Sequence, residues 1–415
     1  MARFRRWLGA IVATSVVLGV ALTLWTKGDD AVLIDEGDSF WYSTVAASTS
    51  DGNWFVDSFG GGPTAAHPPL TVLALQVTSP ISTSVLTQRL TMAVIGALGV
   101  GAVGLLGREV AGERVGLIAA GLAVVVPSFW INQSLVMSEA LALPLYALAL
   151  LGGVRLARTP SVGAAAATGA VIGLAALTRA EAALLLPLLV APVVLLRRSS
   201  GFADRLRILA AAGLVAALVV APWSLWNSSR FEDPVLISTN DGVTIAGANC
   251  PTTYYTDLIG SWSFDCVEDQ PDSGVDESVT SSQLRETGLR YASQNLDRVP
   301  LVVVARVARP FGLWAPGQMV EEAVGEGRPP PASWAALVAF WLSIPAAAWG
   351  VVQLRRRGAT LWPYAAALTT VVISAGLFNG YHRHRLPVDI VVTVLVAVAA
   401  VAALDRRRGT TDGSG

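Results

Sequence analysis

The segment Asp35-Glu36-Gly37-Asp38 places three carboxylates directly after the first apolar stretch of the chain. That stretch, residues 7–26, carries no charge and is long enough to cross the hydrocarbon core of a bilayer. Arginines at positions 3, 5 and 6 precede it and favour a cytoplasmic N-terminus. The acidic cluster is therefore expected on the outer face, followed by Phe40-Trp41-Tyr42. Carboxylates there could act as general bases, whereas the alternative is a solvated loop.

A basic counterpart occurs near the other end of the chain, in the segment Tyr381–Pro387. Its adjacent titratable or cationic residues are His382, Arg383, His384 and Arg385. Since arginine is disfavoured on the outer face, we interpret this segment as an anion site, because guanidinium groups bind phosphate in bidentate fashion. Pro387 disfavours a helical backbone at Leu386, which favours a shared face for Arg383 and Arg385. The alternative is a structural pair of these arginines with Asp389 or Glu181.

Other polar residues lie near predicted helix ends on the same face. His67 precedes two prolines that stiffen the backbone, Ser138-Glu139 opens a span, and Thr178-Arg179-Ala180-Glu181 separates two spans. Each has a structural alternative: a rigid entry into a surface helix, a carboxylate at a helix N-terminus, and a buried ion pair. Ionisable residues within a membrane bundle are nonetheless functional candidates.

Composition predicts a polytopic α-helical membrane protein, since 53% of the 415 residues are hydrophobic and 14% are charged. We predict about ten spanning helices, at residues 7–26, 87–107, 115–133, 137–154, 161–177, 182–196, 208–226, 332–353, 360–377 and 387–404. The cytoplasmic segments of this topology contain 17 of 29 basic residues but only 5 of 30 acidic residues. This asymmetry places both termini in the cytoplasm.

The predicted outer face has two long segments, a first loop at 27–86 and a cap at 227–331. The cap is too long for a simple connection, and we expect a small α/β region there with a helix from Ser281 to Leu296. The apolar stretch Val299–Trp314 contains Arg306 and Arg309, so we interpret it as interfacial or re-entrant. If it docks nearby, these arginines could reach the anion site.

Domain limits follow from this topology: an N-terminal membrane core at 1–226, the cap at 227–331, C-terminal spans at 332–408 and a disordered tail at 409–415. Both cysteines, Cys250 and Cys266, lie in the cap, where an extracytoplasmic compartment permits a disulfide.

Outer carboxylates and outer arginines beside a bilayer fit group transfer from a lipid-linked phosphate, with a carboxylate as general base and arginines stabilising the leaving group. At this point the sequence resembles the GT-C glycosyltransferases of the protein-O-mannosyltransferase and aminoarabinose-transferase type. The motifs that carry the resemblance occur in family order: Asp35-Glu36, Phe40-Trp41-Tyr42, His67-Pro68-Pro69-Leu70, Ser138-Glu139, Thr178-Arg179-Ala180-Glu181 and Tyr381–Pro387. One departure is Ala180, where the family commonly has proline.

The resemblance implies an inverting transferase of the bacterial plasma membrane, with its active site on the outer face. Its donor would be a polyprenyl-phosphate-linked sugar, hexosyl or pentosyl, and its acceptor a glycan, lipid or protein hydroxyl. Asp35 would be the base and Glu36 its neighbour in the active site. The implied substrate-binding residues are Asp38, His67, Glu139, Arg179, Glu181, Arg306, Arg309, His382, Arg383 and Arg385. A divalent cation such as Mg²⁺ or Mn²⁺ could bind the carboxylates, although no spacing requires one. The expected surroundings are membrane lipids, with no nucleic-acid partner.

The sequence leaves two other functions open. A lipid-linked sugar transporter or flippase would place charges near the bilayer midplane, whereas the charges here cluster at helix ends. A non-catalytic membrane scaffold would explain the long cap but not the order of acidic and basic motifs.

Overall fold

The computed structural model describes residues 2–26, 37–57, 61–196, 201–268 and 275–411, and within these ranges the chain is helical. The helices before the cap are α1 (Ala2–Trp25), α2 (Asp38–Ser50), α3 (Leu70–Leu75), α4 (Val85–Ala111), α5 (Glu113–Val125), α6 (Pro127–Gln133), α7 (Ser138–Arg158), α8 (Val162–Ala176), α9 (Ala191–Leu195) and α10 (Phe202–Asn227). Between α8 and α9 lie a 3₁₀ turn, Ala180–Leu184, and a π-helical turn, Leu186–Val190.

The cap and the C-terminal part are also helical. Their helices are α11 (Asn240–Ala248), α12 (Pro251–Tyr255), α13 (Glu277–Gln294), α14 (Val299–Ala308), α15 (Pro316–Val324), α16 (Pro330–Arg356), α17 (Trp362–Leu377) and α18 (Leu386–Thr411). Three 3₁₀ turns accompany them, at Phe264–Cys266, Arg309–Phe311 and His382–Arg385.

The prediction of about ten spans is not supported. In the described part of the chain, six helices are long and apolar enough to cross a membrane, or up to eight if two bent pairs are each one span. The predicted spans at 161–177, 182–196 and 360–377 are shorter apolar helices of 10–17 residues. At 1.5 Å per residue these are shorter than a hydrocarbon core of about 30 Å. The predicted span at 115–133 is bent by 62° between α5 and α6, where Pro127 begins the second helix.

The prediction of an α/β cap is wrong. Among the residues described at 227–331 there is no strand, and an isolated β-bridge joins Val56 and Pro63 in the first loop. The apolar stretch 235–237 suggests a strand, but two of its backbone carbonyls accept hydrogen bonds from side chains of α10. The Ile237 carbonyl accepts from Trp223 Nε1 at 2.6 Å, and the Leu236 carbonyl accepts from Ser224 Oγ at 2.5 Å. Side chains of α10 thus satisfy groups that a partner strand would otherwise satisfy.

Small residues bring the membrane helices close together. A Cβ at Gly169 of α8 would lie 2.1 Å from the Ala212 carbonyl oxygen of α10, and one at Gly350 of α16 would lie 2.2 Å from the Leu395 carbonyl oxygen of α18. Such close contact is how helices associate where lipid removes the hydrophobic driving force. The resulting bundle fixes the start of α7, the end of α8, the end of α17 and the start of α18, which carry or adjoin the polar residues described next.

Two buried arginines join the later part of the cap, at α14 and the turn after it, to the earlier part. Arg306 of α14 donates through Nη2 to the Asn249 side-chain oxygen at 3.0 Å, and Arg309 donates through Nε to the Ile259 carbonyl at 2.7 Å. The structure links Cys250 and Cys266 in a disulfide, sixteen residues apart in sequence. The helix expected at Ser281–Leu296 begins earlier, at Glu277, because the Asp276 carboxylate accepts from the Ser278 amide at 2.8 Å and caps α13.

Candidate active site

The first loop contributes an acid and an imidazole. Gly37, with φ of +76°, turns the chain into α2, so that Asp38 lies in the first turn of that helix. His67 Nε2 lies 3.5 Å from Asp38 Oδ1, and the rings of Trp41 and Tyr42 pack on the imidazole at centroid distances of 5.0 and 5.1 Å. These contacts hold His67 against the start of α2.

The turn before α18 contributes a positive charge, the guanidinium group of Arg383. Arg383, in the 3₁₀ turn before α18, donates through Nη1 to Asp38 Oδ2. The same Nη1 lies 2.9 Å from Glu326 Oε1. Its Nε is buried, lies 4.0 Å from Glu139 Oε1 and forms no hydrogen bond with any described residue. Arg383 therefore bridges the start of α2 and the turn between α15 and α16, and its Nε retains hydrogen-bonding capacity.

A second guanidinium lies deeper, where α8 ends. Arg179 donates through Nη1 to Glu139 Oε1 at 2.7 Å and through Nε to Glu181 Oε1 at 2.6 Å, and its Nη2 lies 3.1 Å from His384 Nδ1. The Glu139 side chain is fully buried and also lies 3.7 Å from Arg328 Nη2. All three guanidinium nitrogens of Arg179 have partners, so this side chain holds together the start of α7, the end of α8 and the turn before α18.

The electrostatics of Asp38 and His67 follow from burial and these neighbours. Burial acts to raise the pKa of Asp38, but the charges of Arg383 and His67 hold that pKa well below its usual range. Burial lowers the pKa of His67, and the Asp38 carboxylate opposes only part of this shift. Asp38 is thus an ionised partner of Arg383 and a weak base.

These residues surround a cavity of about 450 Å³ that has three kinds of wall. One wall is charged, one is polar and uncharged except for Asp241, and one is apolar. The charged wall is formed by Asp38, His67, Arg179, Glu181, Arg383 and His384. The polar wall, from the cap, is formed by Ser238, Asn240, Asp241 and Thr244. Apolar lining residues include Ala183, Leu184, Pro187, Leu377 and Phe378. The cavity can hold an amphiphile with a charged headgroup.

The structure brings together many of the predicted site residues. Asp38, His67, Arg179, Glu181 and Arg383 line the cavity, and Glu139 supports Arg179 from behind. Asp35 and Glu36 lie outside the described residues, two and one positions before Gly37 in sequence. The predicted tail at 409–415 lies partly outside them, at 412–415.

Other predicted residues lie elsewhere. Arg385 donates to Asp389 Oδ1 at 2.9 Å and to the Pro310 carbonyl at 3.0 Å, with its guanidinium 4.1 Å from the centre of the Phe340 ring. His382 lines a separate, much smaller cavity beside Arg328 and Arg385. Arg306 and Arg309 make the cap contacts described above and do not line the large cavity.

The expected shared face for Arg383 and Arg385 does not form. Leu386 is helical, with φ −45° and ψ −46°, and Pro387 lies in the first turn of α18, where its missing N–H costs nothing. Since the preceding turn is a 3₁₀ helix of roughly three residues per turn, residues two positions apart point in different directions.

Sequence reasoning missed Glu326, Arg328 and the polar wall of the cap. Glu326-Gly327-Arg328 stands between the short helix α15 and a span that begins with prolines, so a charged turn at the outer end of a predicted span was the available signal. Among the residues that the structure describes, no group of three or more His, Cys, Asp or Glu side chains is placed to hold a metal ion.

Comparison with known proteins addresses the fold. The family model described as dolichyl-phosphate-mannose-protein mannosyltransferase matches residues 66–226, which include His67, Glu139 and Arg179. The crystal structure of the apo oligosaccharyltransferase from Archaeoglobus fulgidus superposes with a TM-score of 0.57 at 16% identity, over 99% of this chain and 52% of that one. The chain has the GT-C fold. The motifs in the sequence predicted this resemblance.

Further comparisons define the extent of the likeness. AglB from the same organism, in complex with an inhibitory peptide and a dolichol-phosphate, matches the GT-C chain with a TM-score of 0.56 at 16% identity, over 99% and 52% of the two chains. ArnT from Cupriavidus metallidurans, bound to undecaprenyl phosphate, has a TM-score of 0.45 at 18% identity over 93% and 77%, which is too low to support an argument. The GT-C chain spans about half the length of the oligosaccharyltransferases. No curated protein matches its sequence significantly.

Proposed function

We propose that this chain is a membrane glycosyltransferase that moves a sugar from a polyprenyl-phosphate donor to an extracytoplasmic acceptor hydroxyl with inversion. The observation that carries the proposal is the meeting of Asp38 and His67 with Arg383 and Arg179 at one cavity that also has an apolar wall. A lipid phosphate needs both parts: cations for its headgroup and apolar surface for its chain. The mannosyltransferase family match over residues 66–226 supports the same reaction class.

In this mechanism the Asp35 carboxylate takes the proton of the acceptor hydroxyl while that oxygen attacks the anomeric carbon. The bond from the anomeric carbon to the phosphate oxygen breaks, and polyprenyl phosphate leaves with the bonding electron pair. Attack opposite the leaving group inverts the anomeric configuration. Asp38 is a poor candidate for the base because Arg383 and His67 depress its pKa, whereas a base needs affinity for the proton. Glu36 would shape the acceptor or donor site.

Arg383 would bind the donor phosphate and stabilise the charge that develops as the sugar leaves. Its present partners are carboxylates, and the described cluster contains four of them, Asp38, Glu139, Glu181 and Glu326, against three guanidinium groups. A phosphate would therefore replace carboxylates on Arg383 rather than meet a free cation. The polyprenyl chain would follow the apolar wall at Leu184, Pro187 and Leu377.

The proposed location is the bacterial plasma membrane, with both termini cytoplasmic and the cavity on the outer face. The supporting observation is the segregation of arginine into alternate short segments of the sequence.

The test is a turnover assay on the full chain in lipid nanodiscs, with polyprenyl-phosphate mannose and polyprenyl-phosphate arabinose as donors and cell-envelope glycan, lipid and protein fractions as acceptors. We expect release of polyprenyl phosphate from one of them. Asp35→Asn should reduce the rate by about 10²–10⁴-fold, whereas Asp51→Asn, at an exposed position, should not change it. Normal turnover by the Asp35 variant would assign the base elsewhere, and no transfer by the wild type would contradict the proposal.

A further inference from the structure

Three side chains of the polar wall have no hydrogen-bond partner among the described residues. Ser238, Asn240 and Thr244 line the cavity, are half-buried, and their side chains form no hydrogen bond with any described residue. Asn240 and Thr244 are one turn apart on α11, so they share a face of that helix. Asp241 beside them is held by Arg285 Nε at 2.6 Å and by Ser281 Oγ at 3.2 Å.

The chemistry of the polar wall differs from that of the charged wall. An amide and two hydroxyls can each donate and accept hydrogen bonds, which suits a ligand rich in hydroxyl groups and without charge. The guanidinium group that suits a phosphate belongs to the charged wall, at Arg383. The apolar wall at Leu184 and Leu377 suits a hydrocarbon chain. Each part of a glycosylated lipid phosphate thus has one matching wall.

We infer that Asn240 and Thr244, with Ser238, bind the hydroxyl groups of the donor sugar and determine which sugar the protein accepts. This inference rests on the proposed function, because it takes the lipid phosphate to occupy the same cavity. It adds the residues that distinguish one donor sugar from another, which the charged motifs do not provide.

The wall is rigidly placed relative to the catalytic side of the cavity. Thr239, within it, donates its amide to the Ala65 carbonyl at 2.9 Å, and its carbonyl accepts from Ser281 Oγ at 2.6 Å. Glu277 accepts from the Ala65 amide at 2.9 Å and from the Thr239 hydroxyl at 2.5 Å. The polar wall and the segment that carries His67 are therefore tied to one carboxylate. Such preorganisation lowers the entropic cost of ligand binding.

The experiment compares two ligands on the full chain in nanodiscs: bare polyprenyl phosphate and polyprenyl-phosphate mannose. Wild type should bind the mannosylated lipid more tightly. Asn240→Ala and Thr244→Val should each weaken binding of the mannosylated lipid by about two- to tenfold, the range of one net hydrogen bond, and leave the bare lipid unchanged. Asn53→Ala and Thr287→Val, which change the same residue types at exposed positions, are the controls and should change neither Kd.

The outcomes separate the two proposals. Equally weaker binding of both lipids, or no change in either Kd, would overturn the sugar-binding assignment. The proposed donor class would remain. If the substitutions weakened only the binding of an acceptor, the polar wall would belong to the acceptor site. That result would also overturn the sugar-binding assignment. If wild type bound neither lipid, the proposed function would fail and the inference with it.

Discussion

Asp38 and Arg383 lie 345 residues apart in the sequence and form an ion pair at the edge of the cavity. The pair joins the first turn of α2 to the turn before α18, and Glu326 from the turn between α15 and α16 contacts the same guanidinium. Three segments distant in sequence thus converge on one side chain. The donor site we propose is assembled by this contact, and its phosphate would compete with the carboxylates now on Arg383.

Glu326→Gln should therefore tighten the binding of polyprenyl phosphate. The substitution removes a negative charge that contacts Arg383 and Arg328 but keeps the shape of the side chain. We expect an increase in affinity of about three- to tenfold, corresponding to roughly 0.7–1.4 kcal/mol. Titration of nanodisc-embedded protein measures the change. Glu286→Gln on the exposed face of α13 is the matched control, and weaker binding by the Glu326 variant would contradict competition for Arg383.

Arg385→Ala should destabilise the protein without weakening lipid phosphate binding. Arg385 is buried and pairs with Asp389 at 2.9 Å, and truncating one partner of such a pair commonly costs about 3–5 kcal/mol. Thermal unfolding in detergent should show a lower Tm, while Kd for polyprenyl phosphate in the folded fraction stays at the wild-type value. A selective loss of affinity at unchanged Tm would restore the phosphate role that the sequence suggested for this residue.

His67 should make the fold less stable in mild acid. Its pKa in the folded protein lies below the ordinary value of 6.5 because the imidazole is buried, so the unfolded state binds a proton more readily. The stabilising contribution is full above pH 6.5 and is lost as the pH falls toward the folded-state pKa. His67→Gln should therefore show a shallower decline in Tm between pH 7 and pH 5 than wild type. Parallel slopes for the two proteins would contradict this explanation.

The cap should lose stability when its disulfide is opened. Cys250 and Cys266 close a loop of sixteen residues, for which the chain-entropy model gives roughly 3 kcal/mol. Peptide mapping without reductant should recover the two cysteines linked, and Cys250→Ser/Cys266→Ser protein should be cleaved faster in the cap by limited proteolysis. Two free thiols in protein isolated without reductant would refute the pairing.

Much of the candidate site could be predicted from the sequence because ionisable residues within a membrane bundle are rare and therefore informative. The residue types and positions of Asp38, His67, Arg179 and Arg383, together with the family resemblance, predict them as candidate site residues. The arginine pattern could not distinguish Arg383 from Arg385, because that depends on the backbone of the turn between them.

The missed features depend on long-range packing. Glu326 and Asn240 belong to short polar segments whose local sequence resembles an ordinary turn, and only the tertiary structure brings them to the cavity. The number of spans was overestimated because apolar composition marks a buried helix as well as a crossing one. The α/β prediction for the cap is not supported, because the apolar stretch 235–237 bonds to α10 side chains rather than to a strand.

The most direct test of the account is the affinity for bare polyprenyl phosphate of wild type, Arg383→Ala and Arg290→Ala, measured in nanodiscs. Arg290 pairs with Glu286 on the exposed face of α13 and serves as the control for loss of an arginine. A charge-assisted contact to phosphate contributes roughly 1.5–3 kcal/mol. We predict at least tenfold weaker binding for folded Arg383→Ala protein and no change for Arg290→Ala. Equal Kd values for all three proteins would contradict a donor phosphate bound by Arg383 in this cavity.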